Sequence, residues 1–453
     1  MRTSGRTRKA AVIAVAGLAT CATLITGCSS SDDNGSKGSD GKSSSTEQIT
    51  LHIGDFNEFG YNDKTGAKLF SEYEALHPNI KIVEDNVTDG QQYWDSLKLH
   101  LQQNSGLDDI QAIEVGYIAE AIQPQLASKF VDFKSIKGFS ADDWVGYKEK
   151  QATTADGAVI GVGTDIGPTA ICYRTDFFKQ AGLPTDPQQV AALWNGDWSK
   201  FVQVGEQFKA KAPSGVAFTD SAGGLFNAVL SSQPTQYSDQ SGKLVYDSSP
   251  GVKTAWDLSA QAIKEGLTAK LQQFDSNNTW SAAFKTGKFA TVACPSWMTG
   301  LVSTNSGPAN KGKWDIAQPP QAGNWGGSFL AVTKASKHQA EAAALAQWLT
   351  GAAQEVKIFQ KFGNIPSNKG GLNDPAVQNT TNDYFGPAGK PAPTGKIFAT
   401  TAQSIQPAPI GPDDGTVKDI ITKNGLLDME QRGTSAEKAW NNVKAQVKDK
   451  LGE

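Results

Sequence analysis

Apolar positions along the chain switch between a period of two and a period near 3.6 in a regular order. Ile49 to Ile53 alternates as a strand, and Leu69, Tyr73 and Leu76 fall at helical spacing until His77-Pro78 stops the helix. Ile80, Ile82 and Val83 supply a second strand, and Trp94, Leu97 and Leu101 mark a second helix. Ile110 to Val115 is a third strand that runs into Gly116-Tyr117. This β-α-β-α-β order predicts an α/β lobe whose ligand-facing loops lie at the carboxyl ends of the strands. Thr169 to Arg174 is a further apolar strand after the Gly161 to Pro168 loop, and from Asp176 the pattern turns more helical with long polar loops. Leu345, Trp348, Leu349, Val356 and Phe359 share one face of a single long helix that tolerates Gly351. Thr434 and Glu437 make a capping box before a last helix whose face is Trp440, Val443, Val447 and Leu451.

The first fifty residues break this pattern. Arg2, Arg6, Arg8 and Lys9 form a basic head, followed by an uncharged apolar stretch of 16 residues from Ala10 to Ile25, short for a membrane span. It ends in Ile25-Thr26-Gly27-Cys28, which resembles the bacterial lipobox, where small residues let a lipoprotein signal peptidase cut ahead of a lipid-modified cysteine. Residues 1–27 therefore read as a signal peptide, Cys28 as the lipidation site and 28–48 as a disordered tether. Ser29 to Gln48 holds eight serines, three glycines and no aromatic or aliphatic residue, too little apolar surface to order itself. Twenty flexible residues reach about 25 Å. The expected location is the outer face of the cell membrane.

Charge and cysteine content narrow the classes further. The signal removes four of 42 basic residues and no acid, leaving 38 against 46 and a formal charge of −8 on the remaining 426 residues. That balance offers no basic patch for nucleic acid. With Cys21 gone and Cys28 lipidated, Cys172 and Cys294 remain. Outside the cytoplasm two such cysteines favour a disulfide, with two separately buried thiols as the alternative.

Motifs for catalysis are missing or incomplete. His52, His77, His100 and His338 are scattered, and no H-E-x-x-H or C-x-x-C spacing exists to assemble a metal site. Gly307, Gly312 and Lys313 have the spacing of a phosphate loop, but Trp314 stands where a magnesium-binding Ser or Thr is needed. Gly161, Gly163 and Gly167 miss the dinucleotide fingerprint by one residue. No G-x-S-x-G elbow is present. Carboxylates are plentiful, so a glycoside hydrolase, which needs two of them in the right geometry, stays open as a rival class.

What recurs is a loop at a strand end that joins an aromatic to amides, carboxylates and glycines. The examples are Asp55 to Tyr61, Glu114 to Tyr117, Thr164 to Pro168, Pro295 to Met298 and Asn324 to Ser328. A sugar presents an apolar C–H face and a rim of hydroxyls, so its site wants flat aromatics to stack and polar side chains to bond the rim. Loop tryptophans Trp297 and Trp325 are candidate platforms, whereas Trp348 and Trp440 lie on apolar helix faces and read as core.

From Ile49 to Leu451 the chain resembles the extracellular solute-binding lipoproteins of ABC sugar importers, the group that contains maltodextrin-binding protein. The segments that carry this are Ile49 to Pro78, Gly163 to Pro168 with Tyr173-Arg174, Phe284 to Ala290 running into Cys294 to Trp297, and Gly363 to Ser367. Thr164 to Pro168, Cys294 to Met298 and Asn324 to Leu330 are most similar to actinobacterial cellobiose and cello-oligosaccharide binders. The resemblance implies an α/β fold of two periplasmic-binding-protein-like lobes, joined by a hinge of three crossings, with the ligand in the cleft between them. Lobe one would be 49–167 with 320–378 and lobe two 168–319 with 379–453. It implies that Asn57, Glu58, Phe59, Glu114 and Tyr117 face the cleft from the first lobe, that Asp165 sits at the hinge, and that Asp220, Asn227, Trp297 and Trp325 complete the site. The turn Gly411 to Asp414 departs from the maltodextrin binder, which has a stacking aromatic in that late region. No catalytic residue, metal or cofactor is implied. The implied partners are an oligosaccharide, the permease subunits of an ABC importer with their cytoplasmic ATPase, and the membrane through the lipid anchor, the binder itself being a monomer.

Overall fold

The computed structural model describes residues 47–452. The expected signal peptide, Cys28 and the tether up to residue 46 lie outside the described residues. Nine strands among the described residues are β1 Ile49–Phe56, β2 Ile80–Val87, β3 Ile110–Glu114, β4 Val162–Gly163, β5 Ile171–Arg174, β6 Ala217–Thr219, β7 Phe289–Ala293, β8 Trp314–Ala317 and β9 Ser328–Val332. They form two sheets, in the orders β2-β1-β3-β9-β4 and β6-β7-β5-β8.

In the first sheet β1 pairs parallel with β2 and β3, through crossover helices Leu69–Leu76 and Gly90–Gln103, and β9 pairs antiparallel with β3 and β4. Helices cover both faces of such a sheet, which is why β3 and β9 are buried along nearly their whole length instead of alternating. Leu51, Ile53, Ile110, Ile113, Phe329 and Leu330 form its core. The second sheet sorts its side chains by the two-residue period of a strand. Ile171 and Tyr173 join one core with Phe201, Phe218 and Val252, while Ala170 and Cys172 join another with Trp280, Val292 and Ile316 on the opposite face. The sulfurs of Cys172 and Cys294 are bonded in that second core, with Cα atoms 5.5 Å apart.

The chain passes from β4 to β5 and from β8 to β9, so each sheet is discontinuous in sequence. These two passages run side by side. Trp325 donates its backbone N–H to the Gly167 carbonyl at 2.7 Å, and the Asn324 side chain accepts from the Gly167 N–H at 2.9 Å. A Cβ on Gly167 would stand 1.9 Å from the Trp325 carbonyl oxygen, so the approach requires glycine.

Two expectations are corrected. The single long helix is two helices, Gln339–Leu349 and Ala352–Phe362, because Gly351 leaves the helical region (φ −72°, ψ 155°) and caps the second. The break re-aims the apolar face: Leu345 and Leu349 join the first-sheet core, whereas Val356 and Phe359 lie in the core with Cys172. The final helix, Ala436–Leu451, is capped by Ser435, whose hydroxyl accepts from Lys438 N–H; the expected cap, Thr434, donates instead to Asp428. The lobes touch where Gly415 meets Gly116, a Cβ there standing 2.8 Å from the Gly116 carbonyl oxygen and from the Tyr117 ring.

Candidate functional site

Between the sheets lies a cavity of ≈ 110 Å³. Its first-lobe wall starts at the carboxyl end of β3 with Glu114, Val115 and Gly116 and continues with Tyr147 and Gln151. The second-lobe wall includes Asn227, Leu230 and Ser231, which share one face of helix Ala222–Ser231 at spacings of three and four. Asn324, Trp325 and Gly326 of the β8–β9 passage form the floor, and a late segment from Gln406 to Lys418 closes the far side. The lining carries five side-chain amides, Gln151, Asn227, Gln236, Asn324 and Gln406, each able to donate and accept.

Glu114 ends β3 and caps the helix that follows, its Oε2 accepting from Gly116 N–H at 2.7 Å, and it faces Lys418 Nζ of the other lobe at 3.9 Å. Burial alone would lower the Lys418 pKa, but Glu114, then Asp419 and Asp414, outweigh it and the pKa is raised. Asp414 is pushed up to about 6 by burial and is held by Ser238 Oγ at 2.6 Å and Gly411 N–H at 2.9 Å. Lys418 thus stays a cation with a carboxylate partner.

Trp325 packs against both second-sheet cores, and its carbonyl accepts from Trp297 Nε1 at 2.9 Å, the rings meeting edge to face at 6.3 Å. Asp165 ties the passages together: its Oδ1 accepts from Thr164 Oγ1 at 2.7 Å and from Ser328 N–H at 3.0 Å. Burial raises its pKa against the pull of Lys148.

Of the ten expected contact residues, Glu114, Asn227 and Trp325 line the cavity. Trp297 and Asp165 brace it from behind, and Tyr117 stacks on Trp94 at 5.3 Å under the Gly116–Gly415 contact. The other four do not line it. Phe59 is buried in the first core against Phe56 and Tyr61. Glu58 stays within its own loop, accepting from Gly60 N–H, Asn62 Nδ2 and Thr65 Oγ1. Asn57 takes a left-handed conformation (φ 55°), its carbonyl bonded by Asn86. Asp220 is wholly buried under Gln273 Nε2 and Trp280 Nε1, both at 2.7 Å.

Sequence reasoning missed Tyr147, Gln151, Gln236, Tyr237, Gln406 and Lys418. They carry no strand-end loop signature, and no local pattern in the sequence singles them out. His52, Asp85 and Asp108 have ligand atoms within 4.8 Å of one another and could share a cation, but none of them lines the cavity.

Residues 68–384 match the family model described as bacterial extracellular solute-binding protein. A crystal structure of an extracellular solute-binding protein of family 1 is 38% identical, covering 88% of this chain and 99% of its own, with a TM-score of 0.75. The lactose-binding protein of Rhizobium radiobacter is 27% identical over 339 residues, 69% of this chain and 74% of its own. The arabinooligosaccharide-binding protein of Bacillus subtilis (strain 168) is 23% identical over 444 residues, 94% of this chain and 96% of its own.

Proposed function

The chain belongs to the bacterial extracellular solute-binding proteins, and from that premise we propose that it captures an oligosaccharide between its lobes and delivers it to the permease of an ABC importer. The observation that carries this reading is the interlobe cavity, where five amides and the Trp325 indole converge from both lobes and the β8–β9 passage. That lining suits a rim of neutral hydroxyls around an apolar face. Relatives named for lactose and arabinooligosaccharide support the ligand class. Within it we favour cellobiose or a cello-oligosaccharide, on the wording of the Thr164 to Pro168 and Asn324 to Leu330 loops. We propose 49–167 with 320–350 as the first lobe and 168–319 with 352–453 as the second, the last crossing lying at Gly351 rather than after residue 378, because Val356, Phe359 and Val377 pack in the core with Cys172. The binder works as a monomer. Closing the lobes over ligand gives the permease a shape to recognise, while its cytoplasmic ATPase drives transport.

Thermal-shift screening against cellobiose, lactose, maltose and arabinobiose tests the ligand, since a sugar that binds only the folded state raises its melting temperature. Recovery of the bound sugar intact after overnight incubation is expected. Shortened products would point to a hydrolase, and tight binding of another oligosaccharide with none of cellobiose would replace the substrate alone.

Cys28 is the proposed anchor, supported by its place at the end of the signal core. Cys28→Ala should move the protein from the membrane fraction to the medium; an unchanged distribution would rule the anchor out.

A further inference from the structure

Tyr147 and Gln151 stand four residues apart on one face of the helix Gly146–Gln151, and both line the interlobe cavity. The Tyr147 hydroxyl oxygen and the Gln151 Oε1 are buried, and neither has a hydrogen-bond partner. Two such atoms on one helix face and one cavity wall are unusual, because nearly every buried polar group in a folded protein is paired. Each left unpaired costs more than an ordinary hydrogen bond contributes, so a wall that keeps both is shaped for something other than stability. Burial, then the nearby Asp165, raises the Tyr147 pKa, so the phenol keeps its proton and is a donor. The Gln151 Oε1 is an acceptor only.

We propose that Tyr147 and Gln151 are a specificity-determining pair in the first-lobe wall, Tyr147 donating to a ring or hydroxyl oxygen of the ligand and Gln151 accepting from an adjacent hydroxyl. The assignment deepens the sugar-binding reading and rests on it. It selects a neutral polyhydroxylated ring. Lys418 is the cation among the described lining residues, and Glu114 already faces it, so a uronate or phosphorylated sugar would meet no spare positive charge. The pair acts as a closure check: lobes that shut over a ligand lacking either group leave buried polar atoms unpaired, and site-built hydrogen bonds discriminate on that penalty.

The test is calorimetric titration of wild type, Tyr147→Phe and Gln151→Met with whichever of cellobiose, lactose, maltose or arabinobiose raises the wild-type melting temperature most. Each variant should bind about ten-fold more weakly, while its ligand-free melting temperature equals or exceeds that of wild type, since the deleted atom has no partner in the fold. Binding by both variants within about two-fold of wild type would overturn the pair and leave the proposed function intact. So would a loss of affinity accompanied by a clearly lower ligand-free melting temperature, which would make the groups part of the scaffold. A loss confined to one variant rejects the other residue and with it the pair. Wild type that binds none of the four sugars, nor any longer oligosaccharide, overturns both readings.

Discussion

Trp325 is held at both ends of its peptide, its N–H on the Gly167 carbonyl and its own carbonyl under the Trp297 indole. The ring it presents is therefore fixed before ligand arrives, which lowers the ordering cost of stacking. Trp325→Ala should weaken sugar binding by more than about 1 kcal/mol. It should also lower the melting temperature, because the ring packs on both second-sheet cores. Trp297→Phe keeps an aromatic ring but removes the indole donor, and about 1 kcal/mol of affinity should go with it. Trp440→Ala, which strips a half-buried ring from Trp256 and Tyr246, should cost about 2 kcal/mol of stability and leave affinity unchanged. Titrations and melting curves on the three variants separate these outcomes, and wild-type affinity in both loop variants would put the site elsewhere. Glu114 and Trp325 reach the cavity lining from strand-end loops, the pattern visible in the sequence, whereas Asn227 reaches it from a helix face rather than from the expected loop. Phe59 and Asp220 do not reach it, since a loop residue next to a strand end can equally turn inward; the Asp220 carboxyl is taken up by Gln273, Trp280 and Thr219.

Elements follow the same division between what local pattern determines and what packing decides. The first three strands and their two crossover helices were legible because each carries its own period and its own stop signal, such as His77-Pro78. The second sheet was harder to read. β6, β7 and β8 have three, five and four residues and are covered on both faces, so they leave no alternation to detect. The break at Gly351 was missed because helical spacing survives across it: the apolar face resumes at Val356, seven residues after Leu349, but toward a different core. Antiparallel return of β9 between β3 and β4 cannot be read from sequence at all, since pairing partners separated by more than 150 residues are chosen by the fold.

At the scale of the whole molecule, burial of carboxyl groups dominates the proton balance near neutrality. Burial, then Glu84, pushes Asp55 up to about 8; burial pushes Glu430 up to about 7 and Asp315 and Asp414 up to about 6. Unfolded Asp and Glu titrate near 4, so between about pH 4 and 8 the folded chain binds protons that the unfolded chain has released. Stability must then fall as pH rises through that window, because the state holding fewer protons gains. His52, whose pKa is raised first by its hydrogen bond to Asp85, adds the same sign. Lys148, lowered to about 8 by burial, contributes the opposite slope, but only above that pH, where the unfolded chain keeps its proton and the folded chain does not. The lowered carboxylates Asp156, Asp197 and Asp239 act below about pH 4 and leave the window alone. The melting temperature of the ligand-free protein is therefore expected to drop steadily from pH 5 to pH 8. Glu430 accounts for at most about 3 to 4 kcal/mol of this. Glu430→Gln keeps an oxygen for the Ala222 N–H, which Glu430 accepts at 2.9 Å, and removes the titration, so it should flatten the slope between pH 5 and 7. A melting temperature that rises over that range, or a slope that the variant leaves unchanged, would show that the buried carboxyls are ionised in the folded state and that their charges are met by groups other than those described.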